Sequence, residues 1–143
     1  FVASNNQRRF DGIALPASSV IYNGVDLAQF YPATSPREGP VNIGFISNLV
    51  DRKRPDWVVR AAGQLAREGL NVKVLLAGND FTGGTKAKEL QELAHQEGIT
   101  GRYHYIGPRS DVPDVLRTLD VLVLPSERDK EASPAPAAQG QPR

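Results

Sequence analysis

Apolar residues along this chain follow two rhythms. Short, nearly continuous apolar runs alternate with longer stretches in which apolar positions recur every three or four residues. The runs are strand candidates: Val41 to Ile46 (VNIGFI), Val72 to Ala77 (VKVLLA), Tyr103 to Ile106 (YHYI) and Val121 to Leu124 (VLVL). A shorter one, Val20-Ile21-Tyr22, is stopped by Asn23-Gly24, a turn dipeptide that tolerates positive φ. Runs without polar alternation predict strands buried on both faces, as in parallel sheets.

The stretches between them predict helices. Trp57, Val58, Ala61, Ala62 and Leu65 form an apolar stripe behind Pro55, a first-turn proline, and Gly69 ends it. Ala87, Leu90, Leu93 and Ala94 form a second, with Thr85 as N-cap and Gly98 as stop. Val112, Val115, Leu116 and Leu119 form a third, opened by Ser110 or Asp111. Strand and helix alternating at this spacing predict βαβ units: an α/β, Rossmann-like parallel sheet with right-handed crossovers and helices on both faces. Two stretches stand outside that pattern. Pro32 to Pro40 (PATSPREGP) reads as a linker, and Glu127 to Arg143 holds no large apolar residue and is expected to lack fixed structure by itself.

Composition narrows the function classes. With 143 residues, 40% hydrophobic and 23% charged, the chain has the size and balance of one globular domain. A net charge of +1, with few aromatics and none interleaved with basic residues, gives no support to nucleic-acid binding. Zero cysteines exclude disulfides, thiol catalysis and thiolate metal sites. His95 and His104 are isolated from any ligand spacing, so no metal site is expected. No apolar run approaches the ~20 residues of a membrane helix. With no methionine in the chain, Phe1 does not read as a translation start, and an excised piece is expected.

In an open parallel sheet, ligands bind beyond the carboxyl ends of the strands. After VNIGFI come Ser47-Asn48-Leu49-Val50-Asp51-Arg52-Lys53-Arg54, whose three cations open a helix. Free N–H groups, helix dipole and cations together suit a phosphate, although Asp51 partly cancels the charge and a solvated loop is the alternative. After VKVLLA, Gly78 to Thr85 is glycine-rich but carries neither the P-loop nor the dinucleotide fingerprint, and an ordinary connection accounts for it. After YHYI, Gly107-Pro108-Arg109-Ser110-Asp111 offers backbone groups to a base and Arg109 to an anion, with a turn plus N-cap as the plainer reading. After VLVL, the carboxylates Glu127, Asp129 and Glu131 suit ribose hydroxyls or acid/base work, or simply a solvated tail.

Taken in order, these segments resemble the retaining glycosyltransferases of family 4, whose GT-B fold sets two Rossmann-like lobes face to face. Val20 to Asp26 with Phe30-Tyr31-Pro32 looks like the family's "NGVD…F.P" hinge, and Phe1 to Asn6 like the last strand of the amino-terminal lobe. Ile43 to Asp56 looks like the "GFVGRL…KG.D" loop: Lys53 matches the diphosphate-binding lysine, Asn48 stands where arginine is usual and Ser47 where glycine is usual. Ile106 to Pro113 looks like "G..SD.P", whose main chain lies against the base, and Asp120 to Ser126 like "AD.FVLPS". Glu131-Ala132-Ser133-Pro134 resembles the start of the family's motif of two glutamates, but Gln139 then holds the second position.

The resemblance implies residues 1–40 as the end of an amino-terminal lobe with the inter-lobe hinge and linker, 41–126 as an incomplete nucleotide-sugar-binding lobe, and 127–143 as an irregular tail. It implies transfer of a sugar from a nucleoside-diphosphate sugar to an acceptor with retention, without metal or other cofactor. Asn48, Arg52, Lys53 and Arg54 would bind the diphosphate. Arg52 or Arg54 would make up for the arginine missing at Asn48, because asparagine lacks a charged bidentate donor. Gly107, Arg109 and Ser110 would face the nucleotide, and Glu131 the donor sugar. The implied partners are the nucleoside-diphosphate sugar and an amino-terminal lobe of the same enzyme, without which this chain should be inactive. The implied location is cytoplasmic, including the inner face of a membrane if the acceptor resides there. Three other readings stay open: a noncatalytic nucleotide-binding or interaction module with a GT-B-like half-fold, an NAD-type Rossmann domain, and a nucleotide-sugar epimerase of GT-B fold. The absence of GxGxxG after the first strand weighs against the second.

Overall fold

The structure is a computed structural model that describes residues 24–34 and 38–127. Residues 20–22 and Glu131 lie outside the described residues, as do 1–6 and the tail from 128 onward. One compact unit runs from Ala28 to Glu127. Of the second unit only Gly24 to Leu27 are described, and they are exposed.

The main unit carries strand β1 (Val41–Ile46), helix α1 (Pro55–Arg67), β2 (Val72–Ala77), α2 (Thr85–Gln96), β3 (Tyr103–Tyr105), α3 (Val112–Arg117) and β4 (Val121–Leu122). Single 3-10 turns at Asp51–Lys53 and Thr100–Arg102 precede α1 and β3. The strands form a parallel sheet of order β3-β2-β1-β4. Its register sets Val41 beside Val72, Ile43 beside both Val74 and Val121, and Leu76 beside Tyr105. The chain therefore runs outward from β1 to β3 and then returns to the other side of β1, which makes the gap between β1 and β4 the topological switch point.

The core lies on one face of this sheet. Ile43, Phe45, Val72, Val74, Leu76 and Tyr103 point to that face and meet Val58, Val59 and Ala62 of α1 and Leu90, Leu93 and Ala94 of α2. On the opposite face α3 leads into Leu119, which packs on Gly44 so closely that a Cβ there would lie 2.1 Å from its Cδ1. Both helix stops come out as expected. Gly69 and Gly98 have φ of +89° and +75°, and the next residues fold back, Leu70 N–H donating to Leu65 and Ile99 N–H to Ala94.

Several expectations need correction. The sheet is not buried on both faces throughout: Lys73 and His104 stand exposed on the α3 side, because α3 covers that face only near β1. Ile106 falls outside β3, and the last strand shrinks to Val121–Leu122, both about half exposed at 46% and 45%. An apolar run marks a strand only as far as a neighbour supplies hydrogen bonds, and β4 has one partner among the described strands. Trp57 is 49% exposed, because the buried stripe of α1 is Pro55, Val58, Val59, Ala62 and Gly63, turned by one position from the expected one. Trp57, Ala61 and Leu65 instead line an apolar hollow of about 400 Å³ with Val41, Val121 and Val123. Thr85 is the first residue of α2 rather than its cap, a position taken by Gly84 at φ +94°. Asp111 occupies the cap position of α3 but gives no side-chain cap.

Candidate functional site

The loops leaving β1, β2 and β3 are stitched together at their starts. Ser47 N–H donates to Ala77 and Leu49 N–H to Asn79, while Gly78 N–H donates to Gly107 at 2.9 Å. The Tyr105 hydroxyl donates to the Gly78 carbonyl at 2.9 Å. This row of backbone contacts brings the segments that carry Asn48, Gly78 and Gly107 to one rim of the sheet. Gly107 bends there with φ +70°.

The cations after β1 sort into two kinds. Asp51–Lys53 forms the 3-10 turn, and Arg54 is the N-cap of α1 without a side-chain cap bond. Arg54 is held through all three of its guanidinium nitrogens. Its Nε and Nη2 donate to the two carboxylate oxygens of Asp56 at 3.1 and 2.7 Å, Nη1 donates to Glu127 at 2.8 Å, and the guanidinium lies 4.6 Å over the Trp57 ring. Arg52 and Lys53, by contrast, have no ion pair within the described residues. The acidic residues beside them are both occupied: Asp56 by Arg54, and Asp51 by Lys86 of α2 at 2.6 Å. The Lys86 ammonium, first by its hydrogen bond and then by its charge, holds the Asp51 carboxyl below the usual aspartate range. Asp51 thus no longer cancels the charge of its neighbours, and the turn presents two cations at the start of a 13-residue helix.

The glycine-rich loop after β2 behaves differently. Asp80 accepts from the N–H and hydroxyl of Thr82 at 2.9 and 2.6 Å and from Ala87 N–H at 2.9 Å, while Thr82 Oγ1 accepts from Lys86 N–H at 2.8 Å. The Lys86 and Ala87 N–H groups in the first turn of α2 are therefore satisfied by the chain's own side chains, which fits an ordinary connection rather than a phosphate cradle. After β3, Arg109 grips Asp111 with Nε and Nη2 at 2.7 and 2.5 Å, and Ser110 is exposed beside it.

At the far side of the switch point, Glu127 follows β4. Its N–H donates to the Arg52 carbonyl at 2.8 Å, and its carboxylate takes Arg54. Arg52, Lys53 and Arg54 are thus gathered beside the end of β4, whereas Asn48 stays at the rim beside Gly78, and Arg109 and Ser110 belong to the loop after β3. Sequence reasoning missed the pairing duties of Glu127, Asp56 and Lys86. These depend on contacts between segments distant along the chain, and no spacing rule signals them. Among the described residues, no group of three or more His, Asp or Glu side chains gathers as metal ligands would, and no helix is long and apolar enough to cross a membrane.

An open parallel sheet that reverses order at β1, with cations on the helix-opening turn beside the reversal, defines a Rossmann-like lobe with its ligand side at the switch point. Residues 29–138 match the family model for glycosyl transferases group 1, and the chain belongs to that family. Its relatives include a 2-deoxystreptamine glucosyltransferase of Streptomyces kanamyceticus, 29% identical over 97 residues that cover 66% of this chain and 24% of the relative. A D-inositol 3-phosphate glycosyltransferase of Salinispora tropica is 30% identical over 130 residues, covering 75% of this chain and 27% of that protein. The chain thus spans about a quarter of the length of these relatives.

Solved structures give the same fold. HepE of Anabaena in complex with UDP-glucose superposes with a TM-score of 0.64 at 25% identity, covering 76% of this chain and 32% of that one. The C-terminal domain of LpcC, a group 1 glycosyl transferase of Francisella tularensis, gives 0.65 at 24% identity, with 74% and 60% covered. The sheet is that of one GT-B lobe.

Proposed function

We propose that this chain is the donor-binding part of a retaining glycosyltransferase that moves a sugar from a nucleoside-diphosphate sugar to an acceptor. The observation that carries the reading is the pair of cations without an ion partner among the described residues, Arg52 and Lys53, on the turn opening α1 beside the end of β4. Two positive charges at an uncapped helix N-terminus at the switch point suit a diphosphate. Lys53 is the principal contact. Arg52, rather than the engaged Arg54, offsets the arginine that Asn48 replaces. The main chain from Gly107 to Ser110 faces the base, and Glu131 faces the donor sugar. These cations and the helix dipole, rather than a metal, stabilise the departing diphosphate. The UDP-glucose bound by HepE supports a nucleotide-sugar donor here. Catalysis then needs an opposing amino-terminal lobe, so this chain alone is inactive. An acceptor at the inner face of a membrane is compatible with this scheme.

Calorimetric titration with UDP, GDP and ADP, without added metal, tests the proposal. Binding of one diphosphate that weakens in Lys53→Ala supports it and names the base. No binding to any of the three would favour the second reading, a noncatalytic module, to which Gln139 in place of the second motif glutamate already points.

A further inference from the structure

Arg54 combines two features that a free ligand-binding cation would not need. Its backbone sits at φ +51° and ψ +50°, and it is the one residue other than glycine with positive φ among the described residues. Side chains avoid that region because Cβ crowds the following carbonyl, and such a conformation persists where the surroundings over-determine it. The surroundings here are Asp56 and Glu127, which accept from all three guanidinium nitrogens, and the Trp57 ring beneath the guanidinium face.

The contact with Glu127 has a particular consequence. Glu127 makes two bonds to the loop after β1: its N–H to the Arg52 carbonyl and its carboxylate to Arg54. These flank Lys53 on both sides in sequence. The loop is thereby tied to the chain leaving β4, beyond the last paired residues of β1 and β4, Gly44 and Leu122.

We infer that Arg54 is a positioning residue, and that the Arg54–Glu127 pair is a clamp fixing the Asp51–Lys53 turn so that Lys53 is presented to the ligand side. The consequence for nucleotide binding rests on the donor-site reading; the clamp itself does not. The pair is partly exposed, with side-chain exposures of 28% and 51%. Such pairs add little global stability, so the clamp shows in local order and in binding rather than in the melting temperature.

The test uses Glu127→Gln, which keeps the side chain's shape, Arg54→Gly, which tolerates the left-handed backbone, and the double variant. One measurement is the rate at which trypsin cuts after Lys53, followed by mass spectrometry. The other is the UDP dissociation constant. We expect faster cleavage and about tenfold weaker UDP binding in each single variant, no further loss in the double, and a nearly unchanged melting temperature. Unchanged cleavage and unchanged affinity, or losses that simply add in the double variant, would overturn the clamp. If the unaltered chain binds no nucleoside diphosphate, the donor-site reading fails. Cleavage then decides by itself: a faster rate in Glu127→Gln upholds the clamp and an unchanged rate refutes it.

Discussion

Gly78 lies so close to Ser47 that a Cβ added to it would sit 1.9 Å from the Ser47 carbonyl oxygen. Its φ of +147° already belongs to glycine, and its N–H and carbonyl are both in use, by Gly107 and the Tyr105 hydroxyl. One residue thus closes the rim formed by the loops after β1, β2 and β3. Gly78→Ala should cost at least about 2 kcal/mol, from backbone strain together with the clash. Urea unfolding measures it, and an unchanged midpoint would refute the close approach.

The sorting of cations predicts unequal effects on nucleotide binding. Lys53 has no partner in the described residues, whereas Arg109 spends its fork on Asp111. Lys53→Ala should weaken UDP binding by about tenfold or more, the loss of a charge-assisted contact, and Arg109→Ala by clearly less. Calorimetry on the two variants separates them. Equal losses would place Arg109 beside Lys53 as a phosphate contact.

The start of α2 should be acid-sensitive. The Thr82 hydroxyl, followed by the Ala87 and Thr82 N–H groups, holds the Asp80 carboxyl below the ordinary aspartate range. A depressed carboxyl contributes stability above its unfolded pKa, about 4, and that contribution disappears as pH falls through the lower folded value. Asp80→Asn should lower the melting temperature at pH 7 and flatten its acid dependence. A parallel acid profile in variant and parent would rule out this role.

Tyr103 titrates at the other extreme. Its hydroxyl is buried without a hydrogen-bond partner, and burial, with a smaller effect of Tyr105, pushes its pKa up to about 12. The folded state therefore keeps this proton while the unfolded chain loses it near pH 10, so stability falls as pH rises from about 10 through about 12. Tyr103→Phe removes the orphaned group. It should be neutral or stabilising by up to about 1–3 kcal/mol at pH 7 and should lose less stability in alkali. A marked destabilisation on thermal unfolding would reveal a partner for the hydroxyl.

Much of the architecture was legible in local pattern. β1 and β2 run over the expected residues, Gly69 and Gly98 stop α1 and α2, and Pro55 starts α1. Each depends on the residue itself or its near neighbours: apolar runs long enough to be strands, glycines able to adopt positive φ, a proline whose ring presets a helical φ. Where the outcome depended on remote partners, the pattern erred. Trp57 fits the spacing of a buried stripe, yet the sheet receives α1 one position further round, on Val58 and Val59. Thr85 has the chemistry of a cap, but Asp80 and Thr82, reaching from the loop, satisfy those N–H groups first.

The candidate site divides along the same line. That cations follow the first strand of a parallel sheet, at a helix start, and that their segment resembles a diphosphate loop, could be read from residues 43–56 alone. Which of those cations remains available could not. The answer lies with Glu127, 73 positions from Arg54, and with Lys86, the partner of Asp51. The α/β order, the helix stops and the family follow from the linear chain, because they rest on short-range sterics and on motifs read in line. That Arg54 is held while Lys53 has no ion partner among the described residues emerges only in the folded chain. Charge pairing depends on distance in space, and folding sets that distance by bringing the ends of β1 and β4 together.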